Sequence, residues 1–306
     1  MNTTPSSLLQ PGPATRALVL GGGGSTGNAW LIGVIAGLSD AGLDVTGADL
    51  TVGTSAGSTA AAQLAGRTPA ELFGDILSAA PPKPPATAGS DRGNAPIRPV
   101  TDHLARFRAI IAASEDAADM RRRMGASALE LDAASDGTWP AQWRATVAAR
   151  LPSQDWPRRA VLITAVDATT GEPVVFDRNS GVELADAVAA SCSSGLPYRI
   201  GDRLYIDGGY SRNENADLAA GYERVLVLSP FGGRTMHPLD WGMQLAAQVE
   251  ELQESGSTVE TISPDSEHLF GTNAMDLSLR PAAARAGHEQ GRALAAQVSE
   301  FWLRPR

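Results

Sequence analysis

Cysteine is nearly missing from this chain of 306 residues, in which Cys192 stands alone. A single cysteine cannot form a disulfide within the chain, and a reducing compartment suits such a protein. Residues 1–15 hold no apolar segment of the kind that a secretory signal needs, and no apolar run is long enough to span a bilayer. We therefore predict a cytoplasmic location.

Basic residues are also in short supply, because 25 Lys and Arg stand against 34 Asp and Glu and give a formal net charge of −9. Nucleic-acid binding needs clustered Lys and Arg, so the charge argues against nucleic acid as a partner. It also disfavours strong attraction to anionic lipid, and we expect transient contact with a membrane surface at most. Neither the four histidines nor the cysteine falls at metal-ligand spacing, so the sequence implies no metal and no cofactor.

Aromatic residues make up only 5% of the chain, whereas hydrophobic residues make up 43% and glycines number 32. This composition is typical of a globular protein with closely packed helices rather than of a β-sandwich. A chain of 306 residues is also long enough to bury a sizeable core. The sequence therefore predicts a folded domain that contains many helices.

Strands and helices alternate in the first 66 residues. Short apolar runs at 17–20 and 50–52 predict buried strands, and residues 28–38 and 58–65 predict helices. This order is typical of a parallel sheet whose strands are joined by crossover helices. Further along, the sequence predicts strands at 161–166, 174–176, 204–206 and 225–228 and helices at 238–254 and 282–303.

Two segments do not fit this alternation. Residues 1–15, which are rich in Thr, Ser and Pro, predict a flexible tail. Residues 81–99 carry six prolines, which exclude a regular helix or a central strand, and residues 101–150 look polar and helical. We predict one domain over residues 16–306, in which residues 81–150 form a proline-rich loop and a helical cap over the site.

The first chemical motif is Gly53-Thr54-Ser55-Ala56-Gly57, which fits G-x-S-x-G between a predicted strand and a predicted helix. A nucleophile at such a sharp turn adopts a strained backbone, and the glycines avoid clashes with neighbouring side chains. The turn lifts the serine hydroxyl out of the sheet and aims the amides of the helix N-terminus at the same space. The alternative interpretation is an ordinary turn in which Ser55 caps the helix.

The second motif is Gly-Gly-Gly-Ser-Thr-Gly at residues 22–27, which fits G-x-G-x-x-G directly after the first strand. Such a turn can bind the pyrophosphate of a dinucleotide, or its exposed amides can stabilise an oxyanion. A dinucleotide site needs an acidic residue at the end of the second strand, where this chain has Gly53-Thr54-Ser55. A P-loop is excluded because no Lys follows the glycines. The sequence therefore favours an oxyanion hole.

The third motif is Asp207-Gly208-Gly209, which follows the predicted strand at 204–206. An aspartate at the end of a strand lies at the edge of the sheet, where the active sites of α/β proteins form. An isolated D-G-G is more typical of a plain turn. Its meaning here depends on the two motifs that precede it.

Together, and in this order, the three motifs resemble those of the patatin-like phospholipases, which include plant patatin and the cytosolic phospholipase A2 type. Residues 190–198, Ala-Ser-Cys-Ser-Ser-Gly-Leu-Pro-Tyr, also look like the small-residue segment before the family's D-G-G strand. The resemblance covers roughly residues 16–230. It implies an α/β fold with three layers, α/β/α, and a mainly parallel central sheet.

The resemblance also implies a function and the residues that perform it. It implies a serine acyl hydrolase that cleaves carboxylic esters of lipids through a Ser–Asp dyad and an acyl-enzyme. Ser55 would be the nucleophile, and Asp207 would be the base that accepts its proton. The amides of the oxyanion hole would come from Gly22, Gly23, Gly24 and Ala56. The other motif positions are Gly27, Gly53, Gly57, Gly208 and Gly209.

Two other functions stay open on the sequence alone. An α/β-hydrolase would use a Ser–Asp–His triad in the order Ser55, Asp207 and then His237 or His268. Ser55 comes early for that fold, after one preceding strand, and no histidine lies in a recognisable motif. A non-catalytic lipid-binding protein of the same fold is the other alternative, and only an enzyme would be labelled at serine by a fluorophosphonate.

One position departs from the family's pattern. The family usually has Arg or Lys before the last glycine of the first motif, where this chain has Thr26. A cation there could contact a lipid phosphate. We therefore expect neutral esters to be hydrolysed better than anionic phospholipids, unless another residue such as Arg199 or Arg212 supplies the charge.

Overall fold

The structure is a computed structural model that describes residues 15–80, 100–265 and 273–303. The predicted flexible tail lies outside the described residues except for Thr15, and so do the proline-rich segment 81–99 and His268. Within the described ranges, no helix combines the length and the apolar character that crossing a membrane requires.

Eight strands and nine α-helices are found in the described residues. The strands are β1 (Arg16–Leu20), β2 (Leu50–Gly53), β3 (Ala160–Asp167), β4 (Pro173–Phe176), β5 (Tyr198–Ile200), β6 (Arg203–Asp207), β7 (Arg224–Leu228) and β8 (Thr258–Ile262). The helices are α1 (Gly24–Asp40), α2 (Ala56–Leu64), α3 (Pro69–Ser78), α4 (Val100–Ala113), α5 (Ala117–Ala133), α6 (Trp139–Ala148), α7 (Leu184–Ser191), α8 (Leu245–Glu254) and α9 (Arg280–Leu303).

The strands form one sheet in the order β5-β6-β3-β2-β1-β7-β8, with β4 also paired to β3. Strands β3, β2, β1, β7 and β8 are parallel to one another, and β4, β6 and β5 join at one side through antiparallel pairings. All six predicted strands form. The sequence missed β5, which has three residues, and β8, a partly exposed edge strand that carries Glu260, because neither contains a buried apolar run.

Alternating side chains of β1 divide the core between the two faces of the sheet. Leu18 and Leu20 pack with residues of α1, α2, α7 and α9, whereas Ala17 and Val19 pack with residues of α8. Successive side chains of a strand point to opposite faces, so a strand covered on both faces is apolar throughout. The predicted three-layer α/β/α fold with a mainly parallel sheet is confirmed.

Two helices differ from the prediction in their bounds. Helix α1 begins at Gly24 and not at residue 28, so the second half of the glycine-rich motif is its first turn. The predicted helix at 238–254 is wrong in its first part, where Leu239–Trp241 forms a single 3₁₀ turn. Gly242 then adopts a left-handed φ of +64°, which ends that turn before α8 begins at Leu245.

The segment after residue 100, which the sequence predicts to be polar and helical, forms three helices. Helices α4 and α5 pack against Val166 and Tyr210, beside the end of β6. Helix α6 lies on α7, where Trp143 Nε1 donates a hydrogen bond to the carbonyl oxygen of Ala189 at 3.0 Å. Two of these helices therefore lie next to the strand that carries Asp207, and their action as a cap stays a prediction.

Helices α1 and α9 run parallel and pack backbone against backbone. A Cβ added at Gly33 would lie 2.2 Å from the carbonyl oxygen of Ala284, and one added at Gly291 would lie 2.2 Å from that of Val34. The same kind of contact is made by Gly37 and Gly287. Only glycine permits such an approach, which sets the N-termini of the two helices side by side.

We expect Gly33→Ala and Gly291→Ala each to lower the free energy of unfolding by about 1–3 kcal/mol, because the added methyl groups force the helices apart. The matched control is Gly74→Ala in α3, where an added Cβ meets open space. Alanine there should raise the free energy of unfolding by about 0.5–1 kcal/mol through its higher helix propensity. Urea unfolding followed by circular dichroism measures all three, and equal effects would contradict the close packing.

Candidate active site

The register of β3 brings Ser55 and Asp207 to the same level of the sheet. Strand β2 pairs with β3 as far as Gly53, which lies opposite Ile163. Strand β3 continues past that point, and its Ala165 pairs antiparallel with Asp207 at the end of β6. Ser55 follows Gly53 by two residues, so it reaches the level of Ala165 from one side while Asp207 reaches it from the other.

Ser55 adopts a strained backbone at the turn from β2 to α2. Its φ of +52° and ψ of −114° lie in a region that residues with side chains rarely occupy. Its N–H donates to Ser191 Oγ at 2.9 Å, and its carbonyl oxygen accepts from Ser58 Oγ at 2.6 Å and from the Cys192 thiol at 3.2 Å. These bonds hold the backbone on both sides of the serine, so the strained geometry persists.

Ser191 and Cys192 belong to the segment 190–198, which the sequence analysis noted without giving it a role. Burial raises the pKa of the Cys192 thiol to about 11, and the nearby Asp207 carboxylate contributes to the same shift. The thiol therefore stays protonated and remains a donor to the Ser55 carbonyl. Both residues act on the position of Ser55, a role that no motif in the sequence indicates.

The Ser55 hydroxyl donates a hydrogen bond to Asp207 Oδ2 at 2.8 Å. It makes no capping bond to α2, which removes the alternative interpretation of Ser55 as a helix cap. The other carboxylate oxygen, Oδ1, accepts the N–H of Gly209 at 2.8 Å. The D-G-G turn therefore orients the carboxylate so that one oxygen faces the serine.

Burial sets the basicity of Asp207, a residue that is only 8% exposed. Desolvation raises the pKa of its carboxyl to about 6, while the hydrogen bonds from Gly209 and Ser55 act in the opposite direction. A carboxylate with a pKa near 6 is a stronger base than an exposed aspartate and is still ionised at neutral pH. The site therefore contains a base suited to neutral pH.

A buried polar network lies behind the serine turn. Thr54 Oγ1 accepts hydrogen bonds from Thr164 Oγ1 and from Asn215 Nδ2, both at 2.9 Å. It is also 3.4 Å from the carbonyl oxygen of Glu214, to which it donates. These bonds join β2, β3 and the segment after β6 at one point, and satisfied buried networks of this kind specify a single arrangement of their members.

Two motif glycines are required because other groups approach them closely. A Cβ at Gly57 would lie 1.9 Å from the carbonyl oxygen of Leu20, where α2 crosses the end of β1. A Cβ at Gly208 would lie 2.2 Å from Thr164 Oγ1. A larger residue would push α2 away from β1 at Gly57 and would push the D-G-G turn away from β3 at Gly208.

Three backbone amides at the starts of α1 and α2 have no acceptor in the described part of the chain. They are the N–H groups of Gly23, Gly24 and Ala56. The N–H of Gly22 instead donates to the carbonyl oxygen of Asn213 at 2.9 Å. The expectation that Gly22 supplies an oxyanion donor is therefore corrected, because its N–H is already satisfied within the fold.

No histidine in the described residues makes a hydrogen bond to Ser55 or Asp207. His103 instead contacts Arg106 and Tyr210, His237 contacts Thr235, and His288 contacts Asp40. His268, the remaining histidine, lies outside the described residues. In the same part of the chain, no group of three or more His, Cys, Asp or Glu side chains is placed to hold a metal ion.

Thr26, which stands where the family usually has Arg or Lys, lies inside the fold. Thr26 is fully buried, and both its N–H and its hydroxyl donate to the carbonyl oxygen of Ala274. Of the two arginines considered as replacements, Arg199 is paired with Asp132, and Arg212 is paired with Glu251. Both arginines therefore have a carboxylate partner in this structure.

Arg280, at the first position of α9, reaches the glycine-rich turn instead. Its Nη1 donates to the carbonyl oxygen of Ser25 at 2.8 Å, and its Nη2 donates to Asn28 Oδ1 at 3.0 Å. No pattern in the sequence points to Arg280, because it lies more than 250 residues from the turn and outside any motif. Only the parallel packing of α1 and α9 places it there.

Comparison with solved structures returns matches at low similarity. The crystal structure of VipD from Legionella pneumophila is 13% identical with a TM-score of 0.44, and the match covers 93% of this chain and 67% of that chain. A crystal structure of the type III effector protein ExoU is 16% identical with a TM-score of 0.34, covering 92% and 54%. A complex of full-length SpcU and ExoU from Pseudomonas aeruginosa matches at 20% identity with a TM-score of 0.36, covering 92% and 53%. The chain thus spans about half the length of the ExoU chains.

The sequence itself was compared with curated proteins and with family models. The search of the curated proteins found no significant match. The model described as patatin-like phospholipase matches residues 18–220, a span that includes all three motifs. Because this match extends over more than half of the chain, the protein belongs to the patatin-like phospholipase family.

Proposed function

We propose that this protein is a serine acyl hydrolase that cleaves carboxylic esters of lipids through Ser55 and Asp207. The observation that carries the proposal is the hydrogen bond of 2.8 Å between Ser55 Oγ and Asp207 Oδ2, made by a serine with a left-handed φ of +52°. Membership of the family supports hydrolysis of lipid esters in general. The dyad is the specific assignment that the geometry of the site supports.

The reaction begins when Ser55 Oγ attacks the carbonyl carbon of the ester. As the new C–O bond forms, Asp207 Oδ2 accepts the hydroxyl proton and the carbonyl electrons move onto the oxygen. The amides of Gly23, Gly24 and Ala56 stabilise that negative charge. Such preorganised donors act without reorganisation at the moment of reaction, which is why they contribute strongly to rate.

The tetrahedral intermediate then collapses with cleavage of the ester C–O bond. The leaving alcohol takes the proton from Asp207, and the acyl group stays on Ser55 as an acyl-enzyme. A water molecule next gives a proton to Asp207 and attacks the acyl carbon. Collapse of this second intermediate releases the fatty acid, and the proton returns to Ser55 Oγ.

Exposed apolar side chains beside the glycine-rich turn support an acyl substrate. Met275 is 57% exposed, and its sulfur lies 3.0 Å from where a Cβ at Gly24 would be. Leu277, two residues later, is exposed as well. Large apolar groups exposed next to a site offer contact area to a hydrocarbon chain. Transient contact with a membrane surface stays a prediction.

We expect Ser55→Ala to reduce hydrolysis of a nitrophenyl acyl ester by roughly 10³-fold or more, because the nucleophile is lost. Circular dichroism and thermal unfolding of the purified variant check that it is folded. A fluorophosphonate should label the wild type at Ser55 and leave the variant unlabelled. A folded Ser55→Ala protein that still turns over at the wild-type rate would rule out the assignment.

Asp207→Asn should lose about as much activity as Ser55→Ala, because nucleophile and base act as a unit. The matched controls are His103→Asn, His237→Asn, His268→Asn and His288→Asn, which should each retain most of the wild-type kcat. The measurement is kcat/KM on the same nitrophenyl ester. A histidine variant as inactive as the serine variant would favour a triad over the dyad.

The pH profile should report the ionisation of Asp207. Burial raises the pKa of this carboxyl to about 6, and only the ionised form accepts a proton. We therefore expect kcat/KM to fall tenfold per pH unit as the pH drops below about 6. The same limb should persist in each histidine variant. A profile that stays flat down to pH 4.5 would contradict a buried aspartate base.

A further inference from the structure

The peptide group between Gly22 and Gly23 carries one of the amides that have no acceptor among the described residues, the N–H of Gly23. Its orientation depends on the ψ angle of one glycine and the φ angle of the next. Glycine has no Cβ, so the chain itself offers little resistance to rotation of this peptide group. A half turn would direct the Gly23 N–H away from the space where it can stabilise an oxyanion.

The other two amides are held in place by their own helices. In a trans peptide group the N–H points opposite to the C=O, so a bonded carbonyl also sets the direction of the next amide. The amide of Gly24 is fixed by α1, because the carbonyl oxygen of Gly23 accepts the N–H of Gly27 at 3.0 Å. The amide of Ala56 is fixed by α2, because the carbonyl oxygen of Ser55 accepts a backbone N–H from the first turn of α2 at 3.0 Å.

The carbonyl of Gly22 lies before α1 and takes no bond from that helix. The N–H of Thr26, four residues later, donates to the carbonyl oxygen of Ala274 instead, at 3.0 Å. Among the described residues, the donor to the Gly22 carbonyl oxygen is Asn213 Nδ2, at 3.3 Å. The backbone carbonyl oxygen of Asn213 also accepts the N–H of Gly22 at 2.9 Å. Asn213 therefore holds both peptide groups that flank Gly22.

The side chain of Asn213 lies between the glycine-rich turn and the D-G-G turn. A Cβ at Gly22 would lie 2.7 Å from Asn213 Oδ1, so a side chain at that position would displace the asparagine. A Cβ at Gly209 would lie 3.8 Å from the same oxygen and 3.1 Å from Asp207 Oδ1. One asparagine therefore contacts the turn that carries the Gly23 amide and lies beside the turn that carries the base.

Glu214 determines which end of the Asn213 amide faces the glycine-rich turn. Glu214 is only 1% exposed, and its Oε1 accepts hydrogen bonds from Asn213 Nδ2 at 2.8 Å and from Ser229 Oγ at 2.7 Å. Its Oε2 accepts a further bond from Gln248 Nε2 at 3.3 Å. The amide oxygen of an asparagine carries no proton to donate, so Oε1 selects the NH₂ end of the amide. That NH₂ group is the one that donates to the Gly22 carbonyl oxygen.

We infer that Asn213 is a positioning residue, which holds the Gly22 carbonyl so that the Gly23 N–H is directed at the oxyanion, and that Glu214 fixes the Asn213 amide for this role. The inference rests on the acyl hydrolase function proposed above. An oxyanion donor interacts more strongly with the charge that develops in the transition state than with the neutral ester. Loss of this support should therefore lower kcat far more than it changes KM.

Asn213→Ala removes the side-chain bond and keeps the backbone bond to Gly22. We expect kcat on a nitrophenyl acyl ester to fall by about 10–100-fold, less than outright removal of an oxyanion donor costs, while KM changes by less than about twofold. Asn213→Ser, a smaller perturbation of the fold, should show the same split between kcat and KM. Glu214→Gln keeps an oxygen that can accept the Asn213 Nδ2 bond, so it should lower kcat less than Asn213→Ala does.

The matched control is Asn179→Ala, which removes an exposed asparagine that bonds to Asp177 in the turn after β4. It should leave kcat and KM unchanged. Thermal unfolding checks that every variant is folded at the assay temperature. An unchanged kcat in both Asn213→Ala and Asn213→Ser overturns the inference, and so does an increase in KM that accounts for the whole loss of kcat/KM.

A ketone inhibitor separates positioning from a general loss of structure. When an alkyl trifluoromethyl ketone binds covalently, Ser55 Oγ bonds to its carbonyl carbon, Asp207 accepts the hydroxyl proton, and the carbonyl electron pair moves onto the oxygen. We expect Asn213→Ala to weaken this inhibition by about tenfold or more, because the product is an oxyanion. Binding of the fatty amide of equal chain length, whose carbonyl stays neutral, should weaken by less than about twofold. Equal weakening of both ligands would indicate a structural role and overturn the inference.

Crystal structures of the wild type and of Asn213→Ala test the orientation of the peptide group without any turnover. We expect the Gly22–Gly23 peptide group in one orientation in the wild type and in a second orientation, or in two, in the variant. That result would support the inference even if the wild type hydrolysed no ester, in which case the proposed function alone would fail. A variant whose Gly22–Gly23 peptide group keeps the single wild-type orientation overturns the inference.

Discussion

The antiparallel pairing of β6 with the end of β3 is the constraint on which the candidate active site depends. Strand β3 extends beyond β2, and β6 pairs with that extension so that Asp207 ends opposite Ala165. Ser55 reaches the same level from the turn after β2. A shift of the pairing by one residue would turn Asp207 to the other face of the sheet and separate it from the serine.

Burial raises the basicity of Asp207 beside Ser55, and it also costs free energy of folding. The same desolvation that raises the pKa of Asp207 to about 6 makes its ionised form unfavourable in the fold. The left-handed backbone of Ser55 adds strain of order 1–3 kcal/mol. Hydrogen bonds from the Gly209 N–H and the Cys192 thiol, and to Ser191 Oγ, offset these costs locally. Such offsets explain why so many small polar side chains surround the serine.

The packing of α1 against α9 connects the glycine-rich turn to a part of the chain that lies far away in sequence. Glycines on both α1 and α9 let the helices approach until their backbones touch, and the helices run parallel. Parallel packing puts both N-termini at one place, so the guanidinium of Arg280 lies near the amides of Gly23 and Gly24, which have no acceptor among the described residues. The surroundings of the glycine-rich turn therefore depend on the packing of two helices that are far apart in sequence.

The sequence by itself determined the local elements and the chemistry of the motifs. Strand–turn–helix patterns and the order of the three motifs predicted the parallel sheet, the turn at Ser55 and the D-G-G turn at Asp207, because each depends on neighbouring residues along the chain. Only the tertiary structure decided that Gly22 is satisfied by Asn213, that Ser191 and Cys192 hold Ser55, and that Arg280 contacts Ser25 in the glycine-rich turn. These contacts join residues far apart in sequence, and strand register and helix packing set them in ways that no local pattern records.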